Sequence, residues 1–297
     1  MTVSITGIGI HPFGRFDERT VIDLGVTAVR EALTDAGTRD IDVAFCGTAY
    51  AGVAAGHKVL GALGLTGMPI VDVEAGCASG GAALMLAATA IEAGRAERAL
   101  VFGLEKMPRG MIRSTFFDPW REQTGLAATP SYFALRAQRL MRETGITKEH
   151  LARVVVKNRA HGVDNPDAMF RKETTVDDVL ASRLVCEPLH LHMLCSPNEG
   201  AAAVVVEPQV KAGRNGGIEL AAAALRSHLP GSVLGEATPL AGTTDDTVTP
   251  PTTLAAQDAF AEAGVHPSDL DLVECQDTDA ARELLSYVEL GLSLIHI

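Results

Sequence analysis

The sequence predicts an α/β fold made of two related halves, each layered α-β-α, with the second half incomplete. Three observations predict it. Short β-branched or apolar runs alternate with alanine-rich helical patterns, the signature of parallel strands joined by crossover helices. The stretch 26–48, VTAVREALTDAGTRDIDVAFCGT, has a copy at 254–278, LAAQDAFAEAGVHPSDLDLVECQDT; each reads as a helix ending at an Ala-Gly pair, an acidic turn, a strand and a cysteine. At 297 residues, 47% hydrophobic and 21% charged, the chain has apolar material for one large core or two modest ones, which excludes a disordered chain.

The elements follow in order. Residues 3–10, VSITGIGI, are expected to form a strand that leads into a turn at 11–16. Its glycines serve close backbone packing, because G-x-G without a third glycine and a helix directly after lacks the phosphate-binding pattern. Val21, Leu24, Ala28, Val29 and Ala32 give residues 20–36 a helical stripe, ended by Gly37. Residues 41–46 form a strand, and Leu60, Leu63 and Leu65 belong to a short helix and turn. The central stretch, 69–105, then reads as a strand at 70–73, a bend of tiny residues at 75–80 around Cys77, a helix at 81–93 and a buried strand at 99–103. Helices follow at 129–143, with Pro130 at its start and Gly145 after its end, and at 147–159 with Thr147 as N-cap. The apolar run AAAVVV at 201–206 is a strand expected to return to the first sheet, and 231–251, rich in Gly, Thr, Pro and Asp, is a loop.

Composition narrows the function classes. A net charge of -12 with 4% aromatic residues excludes a nucleic-acid surface of basic residues interleaved with stacking rings. No signal-peptide pattern opens the chain and no apolar stretch is long enough to span a bilayer, so the cytoplasm is the expected location. Five cysteines, Cys46, Cys77, Cys186, Cys195 and Cys275, are an odd number without C-x-x-C spacing, which implies reduced thiols rather than a disulfide framework or a zinc ribbon. His190, His192 and Cys195 are close in sequence but lack a fourth ligand at a recognisable spacing, so no metal site is expected. The segment 106–185 differs from the rest: it carries 14 Lys and Arg against 9 Asp and Glu. That excess suits either a solvated helical insertion or a binder of a phosphorylated molecule.

Cys77 is the candidate nucleophile. It stands where a strand hands over to a helix whose first-turn N–H groups stabilise negative charge, and small neighbours leave room for a carbonyl to approach. Spacing alone also fits a small hydrophobe packed in a core, as most free cysteines are. The residues go further: EAGCASGGAALMLAATAIEAGRAERALVFGLEKM resembles the nucleophile segment of the thiolase superfamily, in which a cysteine at the Cys77 position carries the acyl group. KNRAHGVDNPDAMFRKETTVDDVLASRLVCEPLHLHMLCSPNEGAAAVVV is similar to the sterol carrier protein type of thiolase, and the resemblance spans nearly the whole chain.

What the resemblance implies is an acyltransferase of lipid metabolism, of the acetyl-CoA acetyltransferase kind, acting on an acyl-coenzyme A substrate with no tightly bound cofactor. It implies a first half at 1–105 plus 186–210, a basic helical loop domain at 106–185 that covers coenzyme A, and a partial second half at 211–297. It also implies a homodimer formed through the first half's sheet edge. The segment VECQDTDAARELLSYVELGL, 273–292, occupies the place where the sterol carrier type has His-Asp-Cys-Phe and other thiolases Asn-Glu-Ala-Phe. Gln276 then falls on the Asn or His place, which orients a water or donates to the thioester oxyanion; polarity at a strand end or a helix cap accounts for it equally. Thr278 falls on the second, acid/base cysteine, and a threonine hydroxyl titrates far too high to act as that base. The family's Gly-His-Pro segment has no match, and no cofactor-binding residue is singled out. The expectation is a C-terminally truncated chain, inactive if the missing segment is required, with 293–297 foreign to it. The altered segment keeps open a thiolase-like retro-aldolase of steroid side-chain breakdown that works with an OB-fold partner chain, and a non-catalytic acyl-coenzyme A or lipid-binding protein.

Overall fold

The structure is a computed structural model and describes residues 3–110, 119–124, 128–209, 217–230 and 248–292. Residues 231–247 of the expected loop at 231–251, and the tail 293–297, lie outside the described residues. In chain order the first elements are β1 (Val3–Gly14), α1 (Val21–Asp35), β2 (Val43–Gly47), α2 (Ala55–Ala62), β3 (Ile70–Val73), α3 (Ser79–Glu92) and β4 (Ala99–Lys106). Four helices follow, α4 (Pro119–Gln123), α5 (Thr129–Thr144), α6 (Lys148–Asp164) and α7 (Val176–Ala181), then a two-stranded ribbon of β5 (Leu184–Cys186) and β6 (Leu189–His190). The chain continues with β7 (Glu199–Pro208), β8 (Ile218–Leu220), α8 (Pro251–Ala263) and α9 (Ala280–Glu289).

These elements divide into two compact units. The first holds residues 1–108, 167–169 and 198–225; the second holds 109–166, 170–197 and 226–297. The first unit is built on a six-stranded mixed sheet in the order β3-β2-β4-β7-β1-β8. β2 runs parallel to both β3 and β4, while β7 runs antiparallel to β4 and β1. Side chains along a strand alternate between faces, and the core separates accordingly. Ala44, Cys46, Leu100 and Phe102 pack with Leu24, Ala28 and Leu60 of α1 and α2, whereas Phe45, Ala99 and Val101 pack with Ala83, Ala87 and Ile91 of α3. Helices therefore cover both faces, the expected α-β-α layering.

The β1 glycines do what the sequence suggests. A Cβ on Gly9 would sit 2.1 Å from the Ala28 carbonyl oxygen, so α1 lies directly against the backbone of β1. β1 itself is longer than expected: it runs through the anticipated turn to Gly14, paired to Glu199 at the start of β7. The physical reason is the Glu199 carboxylate, which accepts the Phe16 N–H at 2.8 Å and pairs with Arg15 and Lys106, tying the strand end to its neighbours. AAAVVV lies in β7 at the heart of this sheet, as expected.

The second unit packs α5, α6, α7 and α9 around Phe133, Leu140, Leu151, Val155 and Ala281. Helix ends match their sequence signals, with Pro130 in the first turn of α5, Gly145 left-handed after it at φ 75°, and the Thr147 N–H donating to His150 Nδ1 at 2.9 Å. The internal copy is only half realised. Helix α8 ends at Gly264 with φ 67°, matching Gly37 after α1. The strand expected after it does not form among the described residues, and that expectation is corrected. Residues 270–275 have no sheet partner there, Leu272 is 86% exposed, and without ladder hydrogen bonds an apolar run has no reason to be a strand. Likewise β8, expected to open the second half, pairs with β1 of the first.

Candidate active site

In the first unit the register sets the carboxyl ends of three parallel strands level, since Gly47 of β2 stands beside Val73 of β3 and Gly103 of β4. Helix α2 leaves for one face and α3 for the other, which makes this end the crevice where α/β sheets place their ligands. Cys77 lies there, exposed, two residues before α3.

The turn that presents it is tightly specified. Gly76 is left-handed at φ 57°, and its N–H donates to Glu74 Oε1 at 2.7 Å. Ser79 Oγ accepts the Ala75 N–H at 2.9 Å and donates to the Gly76 carbonyl at 2.7 Å, so one hydroxyl closes the loop over the cysteine. Gly47 lets the helix start come this close, because a Cβ there would lie 2.7 Å from the Ser79 carbonyl carbon and 2.8 Å from the Gly80 nitrogen. Where Thr20, Thr175 and Asp279 cap their helices with side chains, the α3 cap position is Ala78, which has none to offer. The Ala78 and Ser79 N–H groups donate to the Ala75 and Gly76 carbonyls at 3.0 and 3.2 Å, which leaves the later first-turn N–H groups, of Gly80 and Gly81, to water or a ligand.

Two neighbours carry no signal in the sequence pattern. Glu105 follows β4's buried run and its Oε2 accepts the N–H groups of Ala49 at 2.9 Å and Tyr50 at 3.0 Å and the Thr48 hydroxyl at 3.3 Å. Burial, then Cys77 and the Glu105 and Glu74 carboxylates, push the Tyr50 phenol up. Cys46 is fully buried, and burial followed by Asp72 pushes its thiol up. None of the five cysteines is in a disulfide.

Gln276 belongs to the second unit and is exposed; its carbonyl accepts the Ser286 hydroxyl of α9 at 3.4 Å. The segment around it is fixed from both sides. Asp279 caps α9, accepting the Arg282 N–H at 3.0 Å, and pairs with Arg136 of α5, both side chains buried. Thr278 Oγ1 lies 3.5 Å from Arg136 and from Asp279, and its carbonyl accepts the Cys195 N–H at 3.0 Å. Farther along α9, the buried Glu283 accepts from Lys157, from Asn158 at 2.5 Å, and from Tyr287. Burial alone would push the Glu283 carboxyl up, but these hydrogen bonds outweigh it and hold it below the ordinary carboxylate range.

Much of the basic excess in this region is already paired within the unit. Arg136, Arg139, Lys148 and Lys157 meet Asp279, Glu143, Glu187 and Glu283, and Arg159 lies over the Phe170 ring at 3.7 Å. His190 Nδ1 lies 2.8 Å from the Ser182 carbonyl, and among the described residues no group of three His, Cys, Asp or Glu could hold a metal. Nor, among them, is any helix long and apolar enough to cross a membrane. A cleft of about 450 Å³ in the first unit, lined by Arg39, Asp42, Gly67 and Met68, opens at the opposite strand end from Cys77. One of about 390 Å³ in the second lies between α6 and α9.

A sheet with helices on both faces and an uncapped helix start beside a cysteine at its parallel-strand ends is the architecture of a thiolase-type half. Comparison with known proteins agrees. Residues 3–209 match the family described as thiolase, N-terminal domain. The BbsB subunit of benzoylsuccinyl-CoA thiolase from Thauera aromatica is 35% identical, covering 98% of this chain and 75% of that protein. Sterol carrier protein 2 from Gallus gallus is 31% identical over 98% of this chain, which spans 56% of its length. Among solved structures, the Ltp2-ChsH2(DUF35) aldolase superposes with a TM-score of 0.83 at 26% identity, over 98% of this chain and 77% of that one. The chain belongs to the thiolase family.

Proposed function

We propose that this chain transfers acyl groups from coenzyme A thioesters through an acyl-cysteine at Cys77. The observation that carries the reading is the exposed sulfur directly before the uncapped first turn of α3, at the carboxyl ends of β2, β3 and β4. The thiolate attacks the thioester carbonyl carbon, and the carbonyl π electrons move onto oxygen. Backbone N–H groups of the helix start stabilise that oxyanion. The carbon–sulfur bond to coenzyme A then breaks, its thiolate leaves and takes up a proton, and the acyl group remains as a thioester on Cys77. The helical segment 106–185 would cover coenzyme A. A homodimer is supported by β3, an edge strand whose Val71 is 42% exposed.

The test is intact mass spectrometry after incubation with acetyl-CoA. One acetyl group that disappears in Cys77→Ala is the expected result; unmodified wild-type protein refutes it. A second reading, carbon–carbon cleavage of the aldolase kind with an OB-fold partner chain, is favoured by Thr278 at the acid/base cysteine position and by the likeness to the Ltp2-ChsH2(DUF35) aldolase. Copurification with such a partner, together with cleavage that survives Cys77→Ala, would move the assignment there.

A further inference from the structure

We propose that Tyr50 is a substrate-facing hydroxyl of the Cys77 site that donates a hydrogen bond to the thioester during acyl transfer, and that Glu105 is the positioning residue that aims it. The inference rests on the acyl-cysteine reading and adds to it a donor from outside the nucleophile turn.

Three observations within the first unit carry it. The loop that bears Tyr50 leaves β2 at the cysteine turn: Gly47 abuts Ser79 and Gly80, and the next residue, Thr48, donates its N–H to the Val73 carbonyl at 3.1 Å, at the end of the strand that leads to Cys77. The loop is held in shape by one carboxylate. Glu105 Oε2 gathers two successive N–H groups, Ala49 and Tyr50, and the Thr48 hydroxyl, and charge-assisted bonds of this kind are about twice as strong as neutral ones. From Thr48 to Gly52 the chain reads Thr-Ala-Tyr-Ala-Gly, so Tyr50 is the one large side chain there, and it is 39% exposed. The cysteine turn is likewise made of Ala, Gly and Ser, which supply no donor that reaches far from the backbone.

Electrostatics agree with this placement. Burial first, and then Cys77, Glu105 and Glu74, disfavour the ionised phenol, so it enters the reaction as a neutral O–H donor. A neutral donor aimed at a developing oxyanion contributes without any proton transfer, and no electron or proton balance changes.

The test compares two reactions of the same sulfur in the full chain. Acylation of Cys77 by acetyl-CoA needs stabilisation of an oxyanion, whereas alkylation by iodoacetamide does not. In Tyr50→Phe, acylation should slow by about 10-fold or more while alkylation of Cys77 stays within about twofold of wild type. Acylation within about twofold of wild type, or the two rates falling together, overturns the role of the hydroxyl. Glu105→Ala should slow acylation comparably, Glu105→Gln, which keeps an acceptor oxygen, should retain most of it, and the double variant Tyr50→Phe/Glu105→Ala should be no slower than Tyr50→Phe alone. Additive losses in the double variant overturn Glu105 as a positioning residue. Wild-type protein that alkylates but never acylates sinks the acyl-cysteine reading itself, and this inference with it.

Discussion

Gly47→Ala should damage the site from behind. The new Cβ would lie 2.7 Å from the Ser79 carbonyl carbon and 2.8 Å from the Gly80 nitrogen and Ser79 oxygen, short of ordinary contact at 3.4 Å by about 0.7 Å. All three atoms are backbone, so no side chain can swing aside; either β2 or the first turn of α3 must move. Overpacking of this kind costs about 1–3 kcal/mol of stability. The larger effect is chemical: Ser79 closes the turn over Cys77, and misplacing a reacting group by about 1 Å can cost about 100-fold in rate. Urea unfolding and the rate of Cys77 acylation, measured side by side, test both parts. Gly61→Ala in α2, away from the cysteine turn, is the matched control, since its Cβ meets nothing within 4 Å and replacing a helical glycine gains up to about 1 kcal/mol. Wild-type stability together with wild-type acylation in Gly47→Ala would refute the claim that close approach of β2 to the helix start sets the cysteine geometry.

Three further outcomes follow from the structure. Asp279→Ala should lower the unfolding free energy by about 3–5 kcal/mol in urea titration, because it leaves the Arg136 guanidinium buried without its carboxylate and uncaps α9; Asp279→Asn, which can still cap, should lose less. In native protein, iodoacetamide followed by peptide mass spectrometry should label the exposed Cys77 and Cys195 well before Cys46, whose thiol is fully buried and pushed up by that burial; early labelling of Cys46 would contradict the packing of β2 under α2. Glu283 is held below the ordinary carboxylate range, so its contribution is present above an unfolded value of about 4.3 and is lost as pH falls through its lower folded value. Glu283→Gln should therefore be less stable at neutral pH by about 1–3 kcal/mol and show a flatter fall below about pH 4.3, read by denaturant unfolding across pH.

How much of this was legible beforehand differs by element. Helix ends with a local signature were read correctly: Gly37, Pro130 with Gly145, and Thr147 act within a turn or two of chain, where sequence neighbours are spatial neighbours. The strand–turn–helix around Cys77 was legible for the same reason. The copy at 254–278 was legible as a helix with its terminal glycine, but not as a strand, because helix bonds close within the segment and strand bonds need a second one. The site residues divide in the same way. Cys77 had a motif, whereas Glu105 and Tyr50 are 55 residues apart and had none; only the meeting of their strand ends brings that carboxylate to that backbone.

The sequence by itself determined the α/β class, the α-β-α layering, the family and the cysteine at a helix start, because alternation, helical stripes and turn residues are local properties of the chain. Only the tertiary structure decided which strands are neighbours, that β8 completes the first sheet, and that Glu199, Asp279 and Glu283 are buried charges with partners far along the chain. The reason is physical: a buried carboxylate is tolerable only where opposite charge and donors converge on it, and that convergence is a property of packing that no single stretch of sequence contains.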